Sequence, residues 1–149
     1  MTMKKDDTKL RSDPLWKSTY EIAQQTYGIA QQILDAFPDE QWATVNKLRT
    51  TANDCMFYVS QSVGATPTEL SVYDMNNARK HLFTLQSMYI FAAKQQFTKL
   101  EPDIVVAIDA MITDIDRRIE LAEKNRLEQT QKDLEPWLEK YKLWQKIQD

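Results

Sequence analysis

The chain has 149 residues, a length that fits one domain with a short appendage. Hydrophobic residues make up 42% and charged residues 28% of the chain, and the two glycines and five prolines exclude an all-β fold built on many tight turns. One cysteine excludes an internal disulfide, one histidine excludes a multi-histidine metal site, and a formal net charge of -3 argues against a protein that mainly coats nucleic acid.

The first twelve residues are polar and carry charges of both signs. This composition predicts a disordered or flexible N-terminal arm over 1–12 and argues against a signal peptide. No apolar run approaches the length of a membrane span, so we expect no contact with a membrane. These features together predict a cytoplasmic protein.

Prolines divide the rest of the chain into segments, because proline suits the first turn of a helix, where its missing N–H is not needed. Asp13 and Thr66 each precede a proline and are good N-cap residues. Thr66-Pro67-Thr68-Glu69 also has the spacing of a capping box, and Gly64 stands where the preceding helix can stop. The pattern predicts helices over 13–37, 38–63, 66–97 and 101–131.

Apolar residues recur every three or four positions in each segment, which predicts amphipathic helices and fits no strand. The first stripe is Trp16, Tyr20, Ala23, Tyr27, Ala30, Leu34 and Phe37. The second is Trp42, Val45, Leu48, Ala52, Cys55, Val59 and Val63. The third is Met75, Ala78, Leu82, Leu85, Tyr89 and Ala92, and the fourth is Ile104, Ile108, Met111, Ile115, Ile119 and Ala122. Four long helices with short connections pack best side by side, so we expect an all-α fold: an antiparallel up-down four-helix bundle over 13–131.

The last segment concentrates aromatic residues at helical spacing. Trp137 and Trp144 are two of the four tryptophans and lie seven residues apart, with Leu138 and Tyr141 on or beside the same stripe. Pro136 cannot donate the backbone bond that would continue the preceding helix, which predicts a break near 133–135 and a separate short aromatic helix over 132–149. This helix either docks on a partner protein or folds back on its own bundle as a fifth helix. The candidate partner-binding residues are Trp137, Leu138, Tyr141 and Trp144.

No constellation in the sequence supports catalysis. His81 follows two basic residues and has no evident nucleophile or orienting carboxylate, which favours a surface or interface role. Cys55 lies on an apolar stripe beside Asp54, which favours a small buried side chain over a reactive thiol. The acidic fourth segment lacks the Glu-x-x-His motifs of a two-metal bundle site, and the chain has no glycine-rich phosphate loop. We therefore expect no enzyme activity, no metal ion and no cofactor.

Basic residues of the second and third segments could form one patch if those helices are neighbours. The candidate nucleic-acid-binding residues are Lys47, Arg49, Arg79, Lys80, Lys94 and Lys99. An ordinary charged surface is the alternative interpretation.

Short motifs mark the predicted helices and the link between the first two. Leu15-Trp16 is followed by Tyr20-Glu21-Ile22-Ala23, and Phe37-Pro38-Asp39-Glu40 forms an FP-acid-acid link. Further anchors are Leu48-Arg49 with Ala52, Val59 with Gly64, and Ala78-Arg79. Over about residues 14–124 these motifs resemble the four helix bundle protein family, which includes the proteins encoded in intervening sequences of large-subunit ribosomal RNA genes. The accessory variability protein of diversity-generating retroelements is a relative of that family.

The resemblance implies a non-catalytic bundle that self-associates, as a homopentamer in the retroelement relative, which binds a reverse transcriptase and nucleic acid. That relative is basic and this chain is acidic, so we expect nucleic-acid binding to be weak or absent. Our first hypothesis is an oligomeric adaptor or accessory protein that presents a surface and an aromatic tail to a protein partner. The alternative is a nucleic-acid-binding accessory factor of a reverse transcriptase in a diversity-generating retroelement.

Overall fold

The computed structural model of the protein describes residues 9–64 and 69–149, and this part of the chain is helical and contains no β-strand. It has four long helices: α1 (Pro14–Ala36), α2 (Asn46–Gly64), α3 (Glu69–Lys94) and α4 (Pro102–Gln148). A 3₁₀ turn (Pro38–Glu40) and a π-helical turn (Gln41–Val45) connect α1 to α2. The prediction of an all-α fold is confirmed.

Two of the prolines mark helix starts as expected. Pro14 and Pro102 are the first residues of α1 and α4. Asp13 caps α1, because its carboxylate oxygen Oδ1 accepts a hydrogen bond from the backbone N–H of Leu15 at 2.8 Å. The predicted capping box at Thr66-Pro67-Thr68 lies outside the described residues, as do residues 1–8 of the predicted flexible arm. Residues 9–12 of that arm are helical.

The second predicted helix starts eight residues later than expected. Residues 38–45 form the 3₁₀ turn and the wider π-helical turn, in which the side chain of Glu40 accepts a hydrogen bond from the hydroxyl of Thr44 at 2.8 Å. This winding turns Trp42 away from the core, and 80% of its surface is exposed. Its place on the predicted apolar stripe was therefore wrong, whereas Val45 and the rest of that stripe are buried.

Side chains from all four helices pack into one hydrophobic core. Each residue of the predicted α3 stripe is buried, and so are the first four residues of the α4 stripe. Ile119 and Ala122 are only half-buried, because the core ends near them. The periodicity therefore predicted the buried faces of α3 and α4 correctly.

The buried face of α1 differs from the predicted one by about one residue. Tyr20, Tyr27 and Phe37 are exposed, and the buried positions are Leu15, Thr19, Ile22, Thr26, Ala30 and Ile33. The hydroxyls of Thr19 and Thr26 each donate to a carbonyl oxygen one turn earlier in α1, at 2.7 Å, so both side chains are satisfied inside the core. The hydroxyl of Tyr27 instead donates to Asn53 at 2.8 Å near the surface.

Polar contacts connect each helix to the next and α4 back to α1. Trp16 near the start of α1 donates to Ser60 near the end of α2, and Arg49 near the start of α2 donates to Gln31 near the end of α1. His81 of α3 stacks on Tyr58 of α2 with ring centroids 5.0 Å apart. Further links include Gln86 to Asp109, at 2.7 Å between α3 and α4, and Arg118 to Asp13, at 2.8 Å between α4 and the start of α1.

The predicted break before Pro136 is absent, and so is the separate C-terminal helix. α4 is continuous over 47 residues and contains Pro136 in its interior. Proline removes one helix hydrogen bond, the bond to the carbonyl of Lys132. That carbonyl lies on an exposed stretch of helix, where water can replace the missing donor. Within the described ranges, no helix combines the length and low charge needed to cross a lipid bilayer.

Candidate functional site

The C-terminal half of α4 extends beyond the core. All residues from Glu123 to Gln148 are exposed, and we call this stretch the arm. At 1.5 Å per residue it is about 39 Å long. The structure therefore places the candidate aromatic residues on a projecting helix and not on a fifth helix folded back against the bundle.

One side of the arm is mainly apolar from Leu127 to Trp144. We define the aromatic face as Leu127, Leu134, Trp137, Tyr141 and Trp144. Their spacing of seven, three, four and three residues keeps them on one side of a helix. The exposed fractions are 68% for Trp137, 54% for Tyr141 and 55% for Trp144. Glu139, Lys142 and Lys146 occupy the opposite side.

Short contacts along the arm order the aromatic side chains. The rings of Tyr141 and Trp144 stack with centroids 6.1 Å apart and planes 23° apart. The ammonium of Lys140 lies 5.1 Å from the ring centroid of Trp137, and Gln145 donates to the hydroxyl of Tyr141 at 3.1 Å. These contacts restrict the side chains before any partner binds, which lowers the entropy lost on binding.

Sequence reasoning found four residues of this region and missed two. Trp137, Tyr141 and Trp144 share the aromatic face, and Leu138 lies beside it and is 55% exposed. Leu127 was missed because the predicted helix boundary at 132 separated it from the tryptophans, and Leu134 was missed because it lies at the break predicted near 133–135. Leu134 lies seven residues from both Leu127 and Tyr141, and this spacing was the available signal.

A network of charged side chains lies where the arm leaves the bundle. The guanidinium of Arg118 forms a two-pronged pair with Asp13, at 2.9 Å and 2.8 Å, and also contacts Asp114 at 3.3 Å. Arg117 contacts the same Asp114 at 2.7 Å. The pair between Arg118 and Asp13 fixes the start of α1 against α4 at the base of the arm.

The two carboxylates of this network have shifted pKa values. Partial burial tends to raise the pKa of Asp13, but the hydrogen bonds from Arg118 and Leu15 outweigh it, so the pKa is lowered. Partial burial and hydrogen bonds from Arg117 and Arg118 compete in the same way at Asp114, and its pKa is also lowered. Both groups therefore stay ionised at neutral pH.

The candidate nucleic-acid-binding arginines contact different helices. Arg49 donates to Gln31 of α1 at 2.9 Å, and its guanidinium carbon lies 5.8 Å from the ring centroid of Tyr27. The Nε of Arg79 lies 2.7 Å from Asp116 of α4. Both guanidinium groups thus have partners within the protein. Four exposed lysines complete the candidate set: Lys47, Lys80, Lys94 and Lys99.

The lone cysteine and the lone histidine lie between helices. Cys55 is 1% exposed, and burial, together with the charge of Asp54, raises the pKa of its thiol to about 12. Such a thiol is protonated at neutral pH and is a poor nucleophile. His81 is half-buried, with its Nδ1 4.0 Å from Asp54.

A shallow groove of about 530 Å³ runs between α1 and α4. Its polar lining includes Ser18, Glu21, Gln25, Asp103 and Asp114. Among the residues that the structure describes, no group of three or more His, Cys, Asp or Glu side chains is arranged to hold a metal ion. Comparisons of this chain with protein-family models, with curated proteins and with solved structures find no match.

Proposed function

We propose that this protein is a non-catalytic, oligomeric interaction protein in which an antiparallel up-down four-helix bundle carries the arm, and the arm presents the aromatic face to a protein partner. One observation carries this proposal: two tryptophans and a tyrosine lie on one side of a projecting helix with more than half of each side chain exposed.

The contacts between helices support the bundle. Start-to-end contacts between α1 and α2, represented by Trp16 with Ser60 and Gln31 with Arg49, are those of two helices that run in opposite directions. Contacts of the same kind connect α2 with α3 through Thr51 and Met88. This arrangement is also the one that the resemblance to the four helix bundle protein family implies.

Energetics support the arm as the binding element. An exposed apolar stripe of this size is unfavourable in water and typical of protein interaction sites. Burying one such aromatic side chain against a partner contributes roughly 1.5–3 kcal/mol. Tryptophan and tyrosine are also the residues that contribute most often to binding hot spots.

The surroundings of the single cysteine and the single histidine support a non-catalytic role. The thiol of Cys55 is buried and protonated at neutral pH. His81 is stacked on a ring of the adjacent helix. The nucleic-acid-binding alternative draws less support from the basic residues, because Arg49 and Arg79 are engaged with α1 and α4.

The test compares the full chain with a variant that lacks the aromatic face. Trp137→Ala, Tyr141→Ala and Trp144→Ala are combined in one variant, and both proteins are used as bait in an extract of the source cells. The matched control combines Glu139→Ala, Lys142→Ala and Lys146→Ala on the opposite side of the arm. We expect specific proteins, including native copies of this chain, to bind the full chain and the control but not the aromatic variant.

Equal recovery by the full chain and the aromatic variant would contradict the proposal. Circular dichroism of each bait checks that the helices are intact, so that loss of binding can be distinguished from loss of structure.

A further inference from the structure

We propose that the aromatic face of the arm is covered by the same face of a second copy of this chain, with the two arms paired antiparallel. This inference rests on the proposed function, in which the arm is the interaction element. It specifies the occupant of the aromatic face and the alignment of the two helices.

The spacing along the arm is that of a two-stranded coiled coil. In a heptad labelled a to g, Leu127, Leu134 and Tyr141 occupy position a, and Thr130, Trp137 and Trp144 occupy position d. All six residues are exposed in the single chain. Pro136 falls at an outer position, c, so its ring stays out of the seam between two helices.

An antiparallel pair places a large side chain opposite a smaller one in every layer. In antiparallel coiled coils an a residue lies opposite a d residue of the other helix. One alignment uses the whole stripe, with Leu127 opposite Trp144, Thr130 opposite Tyr141, and Leu134 opposite Trp137 of the second copy. A parallel pair in register would instead place Trp137 against Trp137 and Trp144 against Trp144, which leaves neighbouring layers underfilled.

The charges beside the stripe select the same alignment. Asp133 and Lys140 both occupy position g, next to the seam, and g residues of antiparallel helices lie opposite each other. This alignment places Asp133 opposite Lys140 of the second copy, and the two-fold symmetry repeats the pair. Sliding one helix by one heptad along the other places Asp133 opposite Asp133 of the second copy, or Lys140 opposite Lys140 if it slides the other way. Both shifted alignments are disfavoured, because like charges repel. The ammonium of Lys140 already lies over the ring of Trp137, at the edge of the seam.

The available area matches a stable interface. One arm can bury roughly 600–700 Å², judged from the exposed fractions of its aromatic face and of Leu138 beside it. Two arms then bury about 1,300 Å², which lies within the range of about 1,200–2,000 Å² for stable complexes. The alignment pairs only residues 123–148 of the two copies, all of them exposed, so neither bundle has to rearrange.

The test uses charge reversal in the full chain, with sedimentation equilibrium to measure the dissociation constant of the dimer. Asp133→Lys places two lysines opposite each other twice, and Lys140→Asp does the same with aspartates. We expect each single variant to raise the dissociation constant at least about tenfold. The double variant, Asp133→Lys with Lys140→Asp, restores opposite charges and should return the constant to near the value of the unaltered chain.

Matched controls change the same charges on the outer side of the arm. Glu139→Lys and Lys146→Asp should leave the dissociation constant of the dimer unchanged. A rise in that constant as large as the rise in the single variants would overturn the inference. A double variant as weak as the single variants would also overturn it, as would an oligomer that no charge reversal affects. A chain that remains monomeric overturns the pairing and the oligomeric part of the proposed function. The binding of a protein partner through the arm fails separately, if the aromatic variant still captures every protein that the full chain captures.

Discussion

Asp13 has two roles at the base of the arm, and both depend on its carboxylate. One oxygen accepts the backbone N–H of Leu15 as the N-cap of α1, and both oxygens pair with Arg118 of α4. The side chains of Asp13 and Arg118 are only 20% and 25% exposed, so water screens this pair less than a surface pair. A single residue thus begins one helix and fixes its position against another.

Substitution of Asp13 separates the two roles. Asp13→Asn keeps an oxygen for the cap and loses the charge, and we expect it to lower the free energy of unfolding by about 1 kcal/mol at pH 7. Asp13→Ala loses both roles and should cost about 2 kcal/mol. Urea denaturation of the two variants and of the unaltered protein gives these differences.

The effect of Asp13→Asn should depend on pH in one direction. Folding lowers the pKa of Asp13 below its ordinary value of 3.8, so the carboxylate stabilises the folded state fully above that pH. The contribution is lost as pH falls through the lowered pKa of the folded state. The difference in free energy of unfolding between Asp13→Asn and the unaltered protein should therefore narrow below about pH 4. A difference that widens in acid would contradict this assignment.

At the scale of elements, α4 shows how a helix continues through a proline. Up to Ile115 one apolar stripe of the helix is buried in the core, and from Glu123 onward the helix is exposed. Pro136 lies in the exposed part, where the freed carbonyl of Lys132 can bond to water. A proline in the buried part of α4 would leave the carbonyl four residues earlier without a partner, because water could not reach it.

Replacing Pro136 should strengthen the arm without stabilising the bundle. Pro136→Ala restores the missing hydrogen bond and removes the ring clash, a local gain of up to about 3 kcal/mol. We expect slower amide hydrogen exchange at residues 132–140 and an unchanged melting temperature for the bundle. Glu135→Ala is the control, because it changes a neighbouring exposed residue and no backbone donor. Unchanged exchange in Pro136→Ala would show that the proline does not weaken the helix.

At the scale of the whole molecule, the core and the arm are separable. Every residue from 132 to 149 is exposed, so this segment adds no buried side chain to the core. We expect the core to be stable without this segment, and we propose that the arm acts on other molecules.

Truncation tests this separation. A chain of residues 1–131 should melt within a few degrees of the full chain, since a loss of 1 kcal/mol would shift a domain of this size by about 2–8 °C. It should also lose self-association. The control is a chain of residues 1–113, which removes the buried Ile115 and the pair between Arg118 and Asp13 and should melt at a clearly lower temperature. A large drop for the chain of residues 1–131 would show that residues 132–149 stabilise the core.

The candidate site was predictable only in part. The aromatic residues Trp137, Tyr141 and Trp144 were found because helical spacing is a property of the sequence itself. The extension of the aromatic face back to Leu127 was missed, because a break was predicted before Pro136. Whether Pro136 breaks the helix depends on whether water can reach the carbonyl that it leaves without a donor. That accessibility depends on the rest of the fold and cannot be read from the neighbouring residues.

The sequence alone determined the helical class, the proline starts of α1 and α4, and the buried faces of α3 and α4, because these depend on spacing and chemistry within a few residues. Only the tertiary structure decided which of two adjacent stripes of α1 is buried. Thr19 and Thr26 entered the core and Tyr20 and Tyr27 stayed outside because of the helices packed against them. It also decided that Arg118 pairs with Asp13, 105 positions away, and that the core ends near Ala122 and leaves the arm exposed. Local periodicity predicts amphipathic faces, but burial depends on contacts between residues that are distant in the chain.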